Sequence, residues 1–207
     1  MSHDHEHHGH EHHQPEPTDP AIRTEAIEQI LVEQGLVTPE RIDELIHHYE
    51  TEVGPMNGAQ VVATAWIDSE FKSRLLADGS AAMAELGFDG AQGERMVVVE
   101  NTDDVHNLVV CTLCSCYPWP VLGLPPSWYK SPEYRARAVR EPRAVLAEFG
   151  TEVADEVDVR VWDSSAEIRY LVLPQRPAHA VGDTVDELAP FVGRDAMIGV
   201  RLAGFES

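Results

Sequence analysis

Apolar residues recur at helical spacing from early in the chain. Ile22, Ala26, Ile27, Ile30 and Leu31 fall three or four positions apart, the period of one helix face. Asp19-Pro20 supplies a cap and a first-turn proline, and Gly35 stops the run. Thr38-Pro39 repeats the start signal, and Ile42, Leu45, Ile46 and Tyr49 form a second stripe ended by Gly54-Pro55. A third helix is predicted over about residues 60–66. A fourth follows Asp68, with Phe71, Leu75 and Leu76 on one side, and a short one over 81–86 stops at Gly87. His47 and His48 on the second helix read as surface residues.

The period changes after Gly93. Met96-Val97-Val98-Val99 and Leu108-Val109-Val110 are β-branched runs joined by the turn-like Asn101-Thr102-Asp103-Asp104. Val157, Val159 and Val161 alternate with polar residues. Asp163-Ser164-Ser165-Ala166 reads as a turn, and residues 168–173 as the strand that returns. A proline-rich stretch and a helix over about 132–149 separate the two strand pairs. The tail from Pro174 is loop-rich, with one short helix near 185–192. The expected fold is α+β: a helical N-terminal arm, then a compact layered core of strands and helices. The composition divides it into a disordered His-rich tail (1–18), the arm and its helices (19–92) and the core (93–207). Two long helices ahead of a core suit either packing on that core or wrapping a partner subunit.

Composition narrows the class. The formal net charge of −21 argues against nucleic acid, whose phosphates call for lysine and arginine. No apolar run is long enough to span a membrane, and no basic region leads an apolar stretch as in a secretory signal. A cytoplasmic protein is expected. Seven of the eleven histidines lie within residues 3–13, interleaved with Asp4, Glu6 and Glu11. That tail suits capture of cobalt, nickel or zinc, or else is an inert solvated tag-like segment. Lys130, Arg135, Arg137, Arg140 and Arg143 form a basic stretch, read as a solvated helix face with some interface pairs.

All three cysteines fall within six residues: Cys111, Cys114 and Cys116, in VCTLCSCYPWP. A Cys114–Cys116 disulfide would close a very tight ring. A redox pair of the Cys-x-x-Cys type opens a helix, and Pro118 and Pro120 leave no clean start for one. Structural zinc asks for a fourth ligand; His106 is near in sequence but a whole strand away. A further possibility uses the peptide nitrogens between the sulfurs. Deprotonated, they make small chelate rings around a hard, highly charged metal. Three sulfurs and two nitrogens leave the sixth octahedral position open, as hydration chemistry requires.

The stretch VCTLCSCYPWPVLGLPPSWYKSPEYRARAV resembles the metal-binding signature of the nitrile hydratase α subunit. So do YETEVGP (49–55), WDSSAEIRY (162–170), VLPQRPA (172–178) and RDAMIGV (194–200), so the likeness runs from about residue 20 onward. It implies ligation through the sulfurs of Cys111, Cys114 and Cys116 and the backbone nitrogens of Ser115 and Cys116. It implies oxidation of Cys114 to sulfinate and of Cys116 to sulfenate, both steps of thiol oxidation chemistry. It also implies a β subunit whose arginines face those oxygens, in an αβ pair or an α2β2 assembly, and a metal-delivery or activator protein. Thr112 and Tyr117 match the cobalt-type motif, so low-spin Co(III) is expected, with Fe(III) the alternative and no organic cofactor.

Cys116 and Cys114 are then the catalytic groups, and small nitriles the substrates, converted with water to amides. Thr112, Gln92 and Arg169 are expected to support the site by hydrogen bonding, and Asp163 to steady a turn or pair with an arginine. Trp119 is expected to line the substrate channel or to anchor packing. The metal-bearing subunit of thiocyanate hydrolase shares the motif and is the nearest rival; a non-catalytic cobalt carrier is the other.

Overall fold

A computed structural model describes residues 20–88 and 95–204. The predicted tail and Gln92 lie outside the described residues. The chain divides into two compact units, one reaching Leu45 and the other starting at Ile46.

In the first unit, α1 (Pro20–Glu33) ends before Gly35, whose φ of 68° is left-handed. Thr38 Oγ1 accepts the Arg41 amide at 3.2 Å as α2 (Pro39–His48) begins. Ile22, Ile27 and Ile30 on α1 are exposed.

In the second unit, a π-helical turn (Tyr49–Val53) runs straight into α3 (Gly54–Ile67). The sequence pointed to a stop at Gly54-Pro55, and the structure makes it a start. Proline is tolerated in a first turn, where its missing N–H has no partner to lose. α3 is the central helix, with Val61, Val62 and Ala63 at zero exposure. Each such valine contributes on the order of 1.5–3 kcal/mol through burial. The Asp68 carboxylate caps α4 (Ser69–Ala77) by accepting the Glu70 and Phe71 amides, both at 2.9 Å. Asp78 does the same for α5 (Gly79–Glu85). These helices share one hydrophobic core with the strands, so the change of period at Gly93 is a change of element within one packed body.

The strands are β1 (Arg95–Glu100), β2 (Val105–Val110), β3 (Asp158–Asp163) and β4 (Ile168–Leu173). Neighbours in sequence do not pair. β1 pairs with β4 and β2 with β3, both in parallel, so β4 does not return along β3. Both connecting segments do turn tightly, Thr102 N–H donating to Val105 O at 2.9 Å and Ser165 N–H to Ile168 O at 2.9 Å, but the strands they join part instead of pairing. Beyond the first turn, Asn101 Oδ1 accepts the Asn107 amide at 2.7 Å, and Asn107 Nδ2 donates to Glu100 O at 2.7 Å. Trp162 Nε1 closes that polar node by donating to Asn107 Oδ1 at 2.8 Å. β2 is buried on both faces beyond Val105, the pattern of a parallel strand covered on each side.

The β2–β3 crossover holds the cysteine loop, α6 (Trp119–Leu122), a 3-10 turn (Ser127–Lys130), α7 (Pro132–Arg140) and α8 (Pro142–Glu148). The prolines do not bar a helix after the cysteines: α6 starts at Trp119 with Pro120 in its first turn. After β4 come α9 (Val185–Leu188), with a Thr184–Glu187 capping box, and α10 (Arg194–Ile198). α10 is too short to leave a stripe in the sequence. It ends at Gly199, with φ of 90°, against Asn107, whose carbonyl oxygen occupies the space a Cβ would need. Among the described residues, no helix is long and apolar enough to cross a membrane.

Candidate metal centre

Parallel pairing decides where the cysteines sit. Val110, the last residue of β2, lies beside Asp163, the last of β3, so the loop leaving β2 passes the β3 end. Asp163 grips it there: its carboxylate accepts the Thr112 amide at 2.9 Å and the Thr112 hydroxyl at 2.6 Å. Of its two expected roles, steadying a turn or pairing with an arginine, these bonds fit the first.

The loop then folds back on itself. The sulfurs of Cys111, Cys114 and Cys116 lie within 4.8 Å of one another, with Cys111 to Cys114 at 3.6 Å and Cys114 to Cys116 at 3.0 Å. All three are free thiols. Cys111 and Cys116 are buried and Cys114 is exposed. The amides of Cys114 and Ser115 donate to Cys111 Sγ at 3.3 and 3.2 Å. The turn that allows this puts Ser115 at φ 135°, the one positive φ outside glycine among the described residues. A side chain in that region is strained and persists where its surroundings impose it.

Charge follows from this geometry. Burial pushes the Cys111 thiol up, but the amides of Cys114, Cys116, Ser115 and Leu113 together outweigh it and hold it at about 7. Cys116 goes the other way, to about 12, through burial, the Cys114 side chain and the charge of Cys111; Arg169 opposes the rise. The loop thus favours the thiolate at Cys111 and disfavours it at Cys116, and metal binding requires deprotonated sulfurs.

The donor set fits a metal. Among the described residues no fourth histidine, cysteine or carboxylate joins the three sulfurs, which disfavours a four-ligand structural zinc site. His106 is committed elsewhere: it is buried, and its Nε2 donates to Gly199 O at 2.7 Å. The strained loop does present the nitrogens of Ser115 and Cys116 to the sulfur cluster.

The remaining expected residues are placed as follows. Arg169, on β4, donates from Nη1 to Ser165 O, and its Nε is buried with no partner among the described residues. Trp119 is half-buried, packs on the core and meets the Tyr49 ring edge-on at 5.3 Å. Gly123, just beyond, comes so close to the preceding helical turn that a Cβ would stand 2.7 Å from Tyr49 O and 2.8 Å from the Gly54 Cα.

Three contributors escaped the sequence reading. Tyr129 Oη donates to Cys116 O at 2.8 Å, Tyr134 Oη donates to Val109 O at 2.6 Å, and Arg135 Nη2 donates to Thr112 O and Leu113 O at 2.9 and 3.0 Å. Arg135 is therefore turned to the loop instead of forming part of a solvated face. Arg137 does pair in solvent, with Glu141 and Glu148. Arg143 holds the carbonyls of Val153, Ala154, Asp155 and Val157. Burial first, then the charge of Cys111 and the Tyr117 ring, raise the Tyr129 phenol well above its usual range, so it stays a donor.

Residues 18–201 match the family model described as nitrile hydratase, alpha chain. The chain is 61% identical over 168 residues to the low-molecular weight cobalt-containing nitrile hydratase subunit alpha of Rhodococcus rhodochrous, covering 81% of each chain. It is 60% identical over 170 residues to the cobalt-containing nitrile hydratase subunit alpha of Pseudonocardia thermophila, covering 82% of this chain and 83% of the relative. Identity to thiocyanate hydrolase subunit gamma of Thiobacillus thioparus is 43% over 165 residues, 74% of this chain and 68% of the relative. Among solved structures, a double mutant of the Fe-type nitrile hydratase from Comamonas testosteroni Ni1 superposes with a TM-score of 0.82 at 40% identity. That likeness spans 90% of this chain and 92% of the other.

Proposed function

The chain belongs to the nitrile hydratase α-chain family, and on that footing we propose that its loop holds trivalent cobalt and hydrates nitriles to amides beside a β subunit. The carrying observation is the convergence of three sulfurs around a strained Ser115 whose amide faces inward. Cys111, Cys114 and Cys116 hold the metal through sulfur, and Ser115 and Cys116 through backbone nitrogen. When bound, the metal supplies a Lewis acid that polarises the nitrile carbon toward water or toward an oxygen carried on Cys116.

The chain's own residues prepare this. Cys111 is buried and fixed by amides; Cys114 is exposed, open to oxidation and to a partner's donors. Asp163 fixes Thr112 at the loop entrance. Arg169 brings positive charge toward Cys116, where it favours an anionic sulfur. Cys114 as sulfinate presents acceptor oxygens on a surface where Leu113 is 84% exposed, a patch suited to burial against a β subunit, while Cys116 as sulfenate lies just beneath it. Trp119 then borders the substrate's approach. The names of cobalt-containing relatives support cobalt, with iron the alternative.

Elemental analysis of the purified αβ complex, joined to a hydration assay, tests the reading. Cobalt near one equivalent, amide product only in the complex, and a chain mass raised by three oxygen atoms once metal is removed are expected. Active metal-loaded enzyme without added oxygen would refute the sulfur oxidation. Carbonyl sulfide from thiocyanate would move the chain to the hydrolase branch, and neither product in any complex would leave a cobalt carrier.

A further inference from the structure

We propose that Arg135 is a positioning residue for the metal loop, orienting two consecutive peptide groups so that the loop is preset before metal arrives. The inference rests on the loop being the metal site.

Arg135 stands on a well-anchored helix. Pro132 opens α7, and Ser131 Oγ caps it by accepting the Tyr134 amide at 3.1 Å. Tyr134 is buried and ties the same turn to β2 through Val109 O. The guanidinium is thus delivered from a fixed base. From there a single nitrogen, Nη2, reaches both Thr112 O and Leu113 O, while Nε is buried and finds no partner among the described residues. A guanidinium accepts that confinement better than a strongly hydrated ammonium.

The peptide bond converts this grip into orientation. In a trans peptide the C=O and the N–H of the next residue point in opposite directions, and the structure holds no cis bond among the described residues. Drawing Thr112 O and Leu113 O toward α7 turns the Leu113 and Cys114 amides the other way. There lies Cys111 Sγ, 3.3 Å from the Cys114 nitrogen. Asp163 completes the clamp by taking the Thr112 N–H. Thr112 is thereby held by its amide and its carbonyl at once, an anion on one and a cation on the other, which leaves its two backbone torsions little freedom. Leu113 itself is exposed, so side-chain packing does not set this part of the loop.

The test uses the full chain, wild type against Arg135→Gln and Arg135→Lys. Hydrogen exchange on the reduced, metal-free protein reads orientation directly. In Arg135→Gln the Leu113 and Cys114 amides should exchange about tenfold faster, as expected for losing charge-assisted bonds, while amides of β2 keep their rates. Anaerobic titration with cobalt(II) alone, followed by sulfur-to-cobalt charge-transfer absorption, should show affinity lowered about ten- to a hundredfold, with Arg135→Lys restoring part. Equal exchange rates overturn the inference, whatever cobalt does. So does an affinity loss that only tracks a fall in the metal-free melting temperature and is not rescued by lysine. A wild-type chain that gives no charge-transfer band, with exchange still Arg135-dependent, refutes the metal reading and leaves the orientation intact.

Discussion

Replacing Tyr129 with phenylalanine isolates one hydroxyl at the metal loop. The Tyr129 ring is fully buried and packs edge-on against Tyr117 at 5.0 Å. Phenylalanine keeps that packing and deletes only the hydroxyl. The losses are the bond to Cys116 O, at 2.8 Å, and a side-chain contact with Ser164. Cys116 is only 8% exposed, so water cannot readily replace the donor. Leaving a buried acceptor unsatisfied costs about 1–3 kcal/mol. For a chain of this size that corresponds to a fall in melting temperature of roughly 2–4 °C per kcal/mol. Tyr134→Phe is the matched control, since Tyr134 Oη donates to Val109 O at 2.6 Å within β2. Both variants should lose comparable stability in thermal unfolding of the metal-free chain. Only Tyr129→Phe should also weaken cobalt(II) uptake about tenfold, because it alone frees a peptide bonded to a ligand. Equal cobalt affinity in the two variants, at equal stability loss, would refute a role for Tyr129 beyond packing.

Gly199→Ala should abolish soluble folded protein, because its φ of 90° is left-handed and a Cβ would collide with Asn107 O; a wild-type yield and melting temperature would contradict that packing. Burial holds the His106 imidazole below its ordinary 6.5, with the Gly199 bond partly opposing. The unfolded chain therefore takes the proton first as pH falls. The stabilisation is complete above about pH 6.5 and is lost as pH drops toward the lower folded value. Melting temperatures recorded from pH 7 to 5 should show this slope in wild type and a flatter one in His106→Gln, and identical slopes would exclude His106 as its source. Deleting residues 2–16 should slow metal loading at limiting cobalt and leave the activity of matured complex unchanged; unchanged loading would mark the tail as inert.

Much of this molecule was legible in its sequence where a signal was local. Asp68 announced a helix because one carboxylate reaches the next turn's amides, and Gly35 announced a stop because glycine alone accepts its φ cheaply. The three cysteines were legible for the same reason, since their spacing already confines the sulfurs. Strand pairing was not. The segments after Glu100 and Asp163 carry turn residues, but whether chain neighbours pair is decided by burial on both faces of β2 and by the Asn107 node. Arg135 was misread for a related reason. An arginine in a basic helix looks solvated until the loop it touches, 22 and 23 residues away, is folded beside it. Pro120 misled because a proline that breaks a helix interior is harmless in a first turn.

The crossover between β2 and β3 also sets a timetable. Arg135 follows Thr112 by 23 residues and Asp163 follows it by 51. At about 5–20 residues per second, a nascent chain carries its three thiols for roughly 2–9 s before the second grip is even synthesised. Until both residues have folded beside it, the loop is an unclamped thiol peptide, open to whichever soft divalent ion is abundant. Selective metallation is therefore favoured after both grips are in place, and thiol-binding ions met before then are competitors that the order of synthesis does nothing to exclude.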